Sequence, residues 1–337
     1  MTFASHHRGR RHTTFFNTRR RRLIAAALVV LGAALVDAAT SSANEVARSA
    51  PALAPRGVEA PVHVCQRATT TRCFAWSSRD TWAGHGPVIA LLNFHPLGQA
   101  LGVVATAGWI RTAATDLGLY LGYEGPGATS LPRGPEEVPA AGLSRLLATF
   151  NSGFYEQDAG AGFYTNHTLY FPLVKGLATV VRYTNGTVGI TSWQGGARPG
   201  PTVEMARQNL PLLVNKSLPT PLSAHNSSWG LTLHGVPAVW RSALGIDKNG
   251  NLIYAAAPDQ TAASMASVMV QLHCVRAMEL DINPEWPIFV TYAGPGATGP
   301  TLDVANPNQI PSRFLYSSTK DFFAVFLSRA PGEAAPW

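Results

Sequence analysis

Apolar residues along most of this chain come in short runs separated by Gly, Pro, Asn and Asp, the punctuation of a strand-rich protein. Val88-Ile89-Ala90-Leu91-Leu92, Leu101-Gly102-Val103-Val104-Ala105 and Leu117 to Leu121 predict strands. Residues 160–193 predict a meander, and Asn185-Gly186 between Val180-Val181-Arg182-Tyr183 and Val188-Gly189-Ile190 signals a hairpin. Ser242 to Asp247 and Leu252 to Ala257 predict a second hairpin through Lys248-Asn249-Gly250-Asn251, because Asn and Gly both tolerate positive φ. Pro258 and Asp259 are expected to break its second strand. A helix follows, N-capped by Thr261 or Asp259, with Met265, Val268, Met269 and Leu272 on one apolar face.

The run from Val275 to Ile282 predicts a strand ended by Pro284. Alternate residues of a strand share a face. Met278, Leu280 and Ile282 would therefore face the core, and Glu279 and Asp281 would project together from the other face, Cα atoms roughly 6.5–7 Å apart. Ala141 to Leu147 predicts a short helix or a strand entry. Phe150-Asn151 ends an apolar run before a tight turn at Ser152-Gly153. Phe289 to Gly299 reads as a Gly-rich loop and Lys320 to Phe326 as a last strand. Many short strands with one or two helices predict an α+β fold with mixed or antiparallel sheets, and argue against a doubly wound α/β fold.

Composition changes this picture mainly at the N-terminus. Seven of the 26 Lys and Arg fall in residues 1–22, leaving 19 against 19 Asp and Glu, so the formal charge of +7 belongs to the leader and the body is neutral. A nucleic-acid binder would keep a basic patch in its body, and no such run occurs. Arg19-Arg20-Arg21-Arg22 precedes the apolar run Leu23 to Val36, which is short for a membrane span and suits a signal peptide. An uncleaved signal anchor, extended by Ala38-Ala39-Thr40, is the alternative. Residues 1–43 are therefore read as leader or anchor, 44–62 as a Pro-containing linker, 63–330 as one catalytic-type domain and 331–337 as a tail. The expected location is secreted or in the cell envelope.

Export permits disulfides, and Cys65 and Cys73 are expected to staple a small hairpin. Cys274 is expected to be a buried, inert thiol. The histidines are scattered without an HxH, HExxH or CxxC pattern, so neither a metal nor a cofactor is expected. Asn166, Asn185, Asn215 and Asn226 head glycosylation sequons, expected to be unmodified behind a bacterial-looking leader. Neither a GxSxG elbow nor a phosphate-binding GxxxxGK[ST] loop is present.

The chemistry in the pattern lies in Glu279 and Asp281. Two carboxylates on one strand face suit general acid–base work, and glycoside cleavage commonly uses a pair spaced about 5–9.5 Å. The plain alternative is a half-exposed strand whose acids meet water or Arg276.

Three segments add to this. Arg241-Ser242-Ala243-Leu244-Gly245-Ile246-Asp247 with Ala277-Met278-Glu279-Leu280-Asp281, Asn151-Ser152-Gly153-Phe154-Tyr155, and Arg207-Gln208-Asn209-Leu210-Pro211-Leu212-Leu213-Val214 resemble the phosphodiester glycosidase family. The similarity spans roughly Val88 to Ser328. The family's GGGS after the Asp is replaced by Ile282-Asn283-Pro284-Glu285, a form that looks like an actinobacterial branch. Pro284 has no N–H to donate, so the pocket must differ there. The resemblance implies hydrolysis of a glycosyl phosphodiester, with glycan or glycosyl phosphate as the partner. It implies Asp281 and Glu279 as catalytic groups, Arg241 holding phosphate, and Asn151, Gly153, Arg207 and Asn283 contacting substrate. A non-catalytic envelope-glycan binding protein that keeps the fold is the alternative.

Overall fold

A computed structural model describes residues 63–67, 71–78, 88–125, 130–232 and 235–329. All belong to one compact unit, residues 45–337. The expected leader, the linker and the tail lie outside the described residues. Among the described residues no helix is long and apolar enough to cross a membrane.

The α+β expectation holds. Every strand pair among the described residues runs antiparallel. The largest sheet has eight strands, with Arg276–Glu279, Val239–Ile246, Leu252–Gln260 and Ala105–Ile110 side by side at its centre. A five-stranded sheet places Leu146–Asn151 between Phe289–Thr291 and Phe322–Leu327. A second five-stranded sheet has Val203–Gln208 between Ala178–Tyr183 and Phe163–Thr165. His63–Arg67 and Thr71–Ala75 form a separate hairpin that sets Cys65 opposite Cys73, and the side chains of the expected disulfide lie outside the described set.

Both faces of the large sheet are covered. Leu244, Ile246, Leu252, Tyr254, Ala256 and Met278 join one core with Phe150, Phe289 and Phe323 of one smaller sheet and Phe163, Val180 and Met205 of the other. Phe150 stacks on Phe323 at 5.2 Å and on Phe289 at 5.9 Å, worth about 0.5–1.5 kcal/mol per pair beyond area burial. Ala243, Ile253, Ala255 and Ala277 alternate to the opposite face, where the helix Ala262–Gln271 lays down Met265, Val268 and Met269. Small residues on this face let the helix approach: a methyl at Gly245 would sit 2.7 Å from Met269 Cε and closer still to Cys274 Sγ. Thr261 caps the helix, accepting from Ser264 N at 3.1 Å while Ser264 Oγ accepts from Thr261 N at 2.9 Å.

Local expectations needed four corrections. The strand before residue 110 is Ala105–Ile110, not 101–105, because it must pair with Ile89–Phe94 on one side and Leu252–Gln260 on the other. Gly108 in it leaves room for the Phe289 ring, whose Cζ lies 2.5 Å from where a β-carbon would be. Residues 160–193 are not a plain meander, since Val203–Gln208 inserts between its strands. The Leu252–Gln260 strand continues past Pro258 and Asp259 by a register shift opposite Val239/Arg241, with Asp259 at φ +54°. Phe289–Thr291 is a strand rather than loop. Both Asn-Gly hairpins form, but only Gly186 and Gly250 take positive φ. Asp247 Oδ1 instead holds the second turn by accepting from Asn249 N and Asn251 N at 2.8 and 2.9 Å.

Candidate functional site

The Asn151–Tyr155 loop leaves the end of the Leu146–Asn151 strand and forms a hub. Ser152 N donates to Asp321 O at 3.4 Å, Ser152 O accepts from Asp281 N at 3.1 Å, and Ser152 Oγ accepts from Arg207 Nε at 3.1 Å. The segments singled out in the sequence therefore do meet in space. They do not all meet open solvent.

Arg241 is 0% exposed. Its Nε donates to Gln260 O at 3.0 Å, Nη1 to Trp229 O at 3.0 Å and to Glu279 Oε1, and Nη2 to Asn226 Oδ1 at 3.1 Å. The guanidinium is spent inside the fold, so the expectation that it holds phosphate is corrected. Glu279, also 0% exposed, is its counter-ion beneath the helix-covered face of the sheet. It does not share a wet face with Asp281, since that face is packed and the strand ends at Glu279. Burial pushes the Glu279 carboxyl up to about 8 against the pull of Arg241.

Asn151 is equally committed. Its Nδ2 donates to Ser152 O and Ser242 Oγ, both at 2.9 Å, and its Oδ1 accepts from Tyr254 Oη at 2.8 Å and Ile288 N at 3.1 Å. A side-chain amide has two donors and two lone pairs. All are used, so Asn151 knits the sheets together rather than binding a sugar hydroxyl. Arg207, 0% exposed, pairs with Asp321 at 2.8 Å and Glu156 at 3.0 Å and donates to the carbonyls of Gln208 and Phe154. It props the Asn151–Tyr155 loop from behind, through Ser152 Oγ and Phe154 O. Gly153 contributes its carbonyl, which accepts from Lys320 Nζ at 2.9 Å.

Asp281 and Asn283 do reach open space. With Lys320 they line a cleft of about 900 Å³, near the upper end of the 300–1,000 Å³ usual for ligand sites. Phe154, Tyr155, Trp240 and Trp286 supply aromatic walls, and Ile282, Asn283 and Pro284 line it directly. Asp281 Oδ2 pairs with Lys320 Nζ, and Oδ1 accepts from Asn283 N at 2.9 Å. The ammonium lies 4.3 Å from the centre of the Tyr155 ring and 5.3 Å from that of Trp286. Burial raises the Asp281 carboxyl above its ordinary value, opposed by Lys320.

At the cleft and behind it, three buried cations (Arg207, Arg241, Lys320) face four buried carboxylates (Glu156, Glu279, Asp281, Asp321). An excess acid in a dry network favours a retained proton. Glu156 is pushed up to about 7 by burial, against Arg207, with Asp321 adding like-charge repulsion.

Comparison with known proteins adds little. No family model matches the chain, and no curated protein matches its sequence. Among solved structures, the chain is similar to the catalytic domain of zebrafish N-acetylglucosamine-1-phosphodiester alpha-N-acetylglucosaminidase, auto-inhibited by its pro-peptide, at 15% identity and TM-score 0.47, over 76% of this chain and 88% of that one. It is also similar to a hypothetical protein from Synechocystis at 10% identity and TM-score 0.43, over 77% of this chain and 65% of that one. At this level of overlap the activity of neither protein transfers to this chain.

Lys320, Trp286 and Tyr155 were missed as site residues. Lys320 stood in the sequence as the first residue of a last strand, and nothing local to it points at Asp281, 39 positions away. The signal that could have found it is the Lys320-Asp321 pair at the mouth of the apolar run Phe322 to Phe326, since a cation carried into a packed strand end is buried only beside an acid. Among the described residues, no group of three or more His, Cys, Asp or Glu is placed to hold a metal ion.

Proposed function

We propose that this protein is an exported hydrolase of glycosyl phosphodiesters, acting on a cell-envelope or extracellular glycan. One observation carries the proposal: a carboxylate paired with a lysine at the floor of an aromatic-walled cleft. The motif resemblance around Asp281 and Asn151–Tyr155 supports the same chemistry, and the arginine cluster before Leu23 to Val36 supports export.

In the resting state the ammonium of Lys320 belongs to Asp281. A phosphodiester entering the cleft offers Lys320 a competing anion, and the carboxylate is released next to the sugar. Asp281 then takes a proton from the water that attacks the anomeric carbon. The carbon–oxygen bond breaks, and its electron pair leaves on the phosphate as Lys320 donates hydrogen bonds to it. Most glycosidases need a second carboxylic acid to protonate an alkoxide leaving group. A phosphomonoester has a second pKa near 6 and departs as an anion, so one carboxylate and one cation suffice. Asn283 at the mouth orients a sugar hydroxyl, and Trp286 and Tyr155 cover the ring.

The test is release of free sugar from a panel of sugar-1-phosphodiesters. Asp281→Asn is expected to lower kcat by at least a hundredfold while substrate still binds. Lys320→Gln is expected to raise KM for diesters. Each leaves a buried charge unpaired, so the double variant Asp281→Asn/Lys320→Gln, which removes both charges, controls for folding. Binding of diesters with no sugar released from any of them would overturn hydrolysis and leave a glycan-binding protein.

A further inference from the structure

We infer that the cleft carries an apolar subsite for a hydrocarbon aglycone, so that its ligand is an amphiphilic glycosyl phosphate; this rests on the glycosyl phosphodiester reading of the cleft floor. The cleft is mixed in chemistry. Asp281, Asn283 and Lys320 share the lining with Leu210, Leu231, Val236, Val239, Trp240 and Ile282, and Asp158, Asp259, Ser227, Ser228 and Thr232 belong to it too.

Part of this lining is set by a close backbone approach. Gly230 adopts φ +88°, and a β-carbon there would meet Phe154 Cζ at 2.8 Å and Ile282 Cδ1 at 2.9 Å. Only glycine allows the chain to lie that close to the cleft wall. Pinned there, the chain presents the next residue outward: Leu231 is 99% exposed and Val236 is 47% exposed. A single exposed leucine is ordinary. Here two exposed aliphatic residues line the same cleft as a half-buried tryptophan, and this apolar lining is the wall of the subsite.

The occupant follows from continuity. The wall shares one cavity with the Lys320 ammonium, so a molecule that fills the cavity presents an anion at one end and hydrocarbon at the other. In a glycosyl phosphodiester, the group beyond the phosphate is the aglycone. The volume of about 900 Å³ leaves space beyond a sugar and its phosphate.

The experiment uses the full chain and two homologous series. Binding of methyl, butyl and octyl phosphate is measured by calorimetry, below the micellar range, and needs no turnover. Affinity is expected to rise by about fourfold per methylene over the first few carbons, and Leu231→Ser/Val236→Ser is expected to flatten that dependence. A flat series in the natural protein, or an equally steep one in the double variant, overturns the subsite. Hydrolysis of methyl, butyl and octyl sugar-1-phosphodiesters is measured in parallel. Turnover without chain-length dependence removes the subsite and keeps the hydrolase; chain-length-dependent binding without turnover keeps the subsite and removes the hydrolase.

Discussion

Replacing Asn151 by alanine separates a ligand-binding asparagine from a structural one. The side chain is 4% exposed and makes four hydrogen bonds. Two of its partners keep another bond after the change: Ser242 Oγ still donates to Asp281 O at 2.8 Å, and Ser152 O still accepts from Asp281 N. The other two, Tyr254 Oη and Ile288 N, lose the acceptor that the amide provided. A buried donor left unpaired costs about 1–3 kcal/mol, so two cost about 2–6 kcal/mol, with the low end reached if water enters the space. Set against a total stability of about 5–15 kcal/mol, this is a severe but survivable loss. Urea unfolding followed by tryptophan fluorescence is expected to show a midpoint lowered by about 1 M or more at unchanged slope. Tyr254→Phe removes one orphan in advance, so the double variant is expected to be more stable than additivity predicts, by about 1–2 kcal/mol. An Asn151→Ala protein with wild-type stability and abolished sugar-phosphate binding would refute the structural role and restore the asparagine to the site.

Arg241→Met strands the Glu279 carboxylate and is expected to cost about 3–5 kcal/mol in thermal unfolding, most of it recovered by adding Glu279→Leu; a selective rise in KM at full stability would contradict the assignment. Burial raises Glu156 from 4.5 to about 7, so its contribution to stability is full below about pH 4.5 and is lost as pH rises through about 7. Glu279 and Asp281, also raised by burial, fall in the same direction, so Glu156→Gln is expected to remove about 3 kcal/mol of the total fall across that window and leave their share. Gly245→Ala drives a methyl into Met269 and Cys274 and is expected to destabilise by about 1–3 kcal/mol; a neutral result in urea would show that the helix packs less closely than the contacts indicate.

The sequence by itself determined the local grammar. Both Asn-Gly hairpins, the helix with its Met265, Val268, Met269 and Leu272 face, and the α+β class follow from periodicity and turn chemistry, which act over a few residues, while the choice of Thr261 over Asp259 as its cap came from the structure. Strand alternation also singled out Asp281, which lines the cleft, whereas Asn283 came only from the motif resemblance. It misplaced Glu279, because period-2 alternation tells which residues share a face but not whether that face is wet. The helix Ala262–Gln271, packed on the second face, is what turned an expected solvent-side acid into a buried counter-ion of Arg241. Which cation each acid meets was likewise decided only in three dimensions. Lys320 reaches Asp281, Arg241 reaches Glu279 and Arg207 reaches Asp321 across 39, 38 and 114 residues of chain. Charge pairing depends on distance in space, and sheets that bring remote strands side by side set those distances without leaving a spacing in the sequence to read.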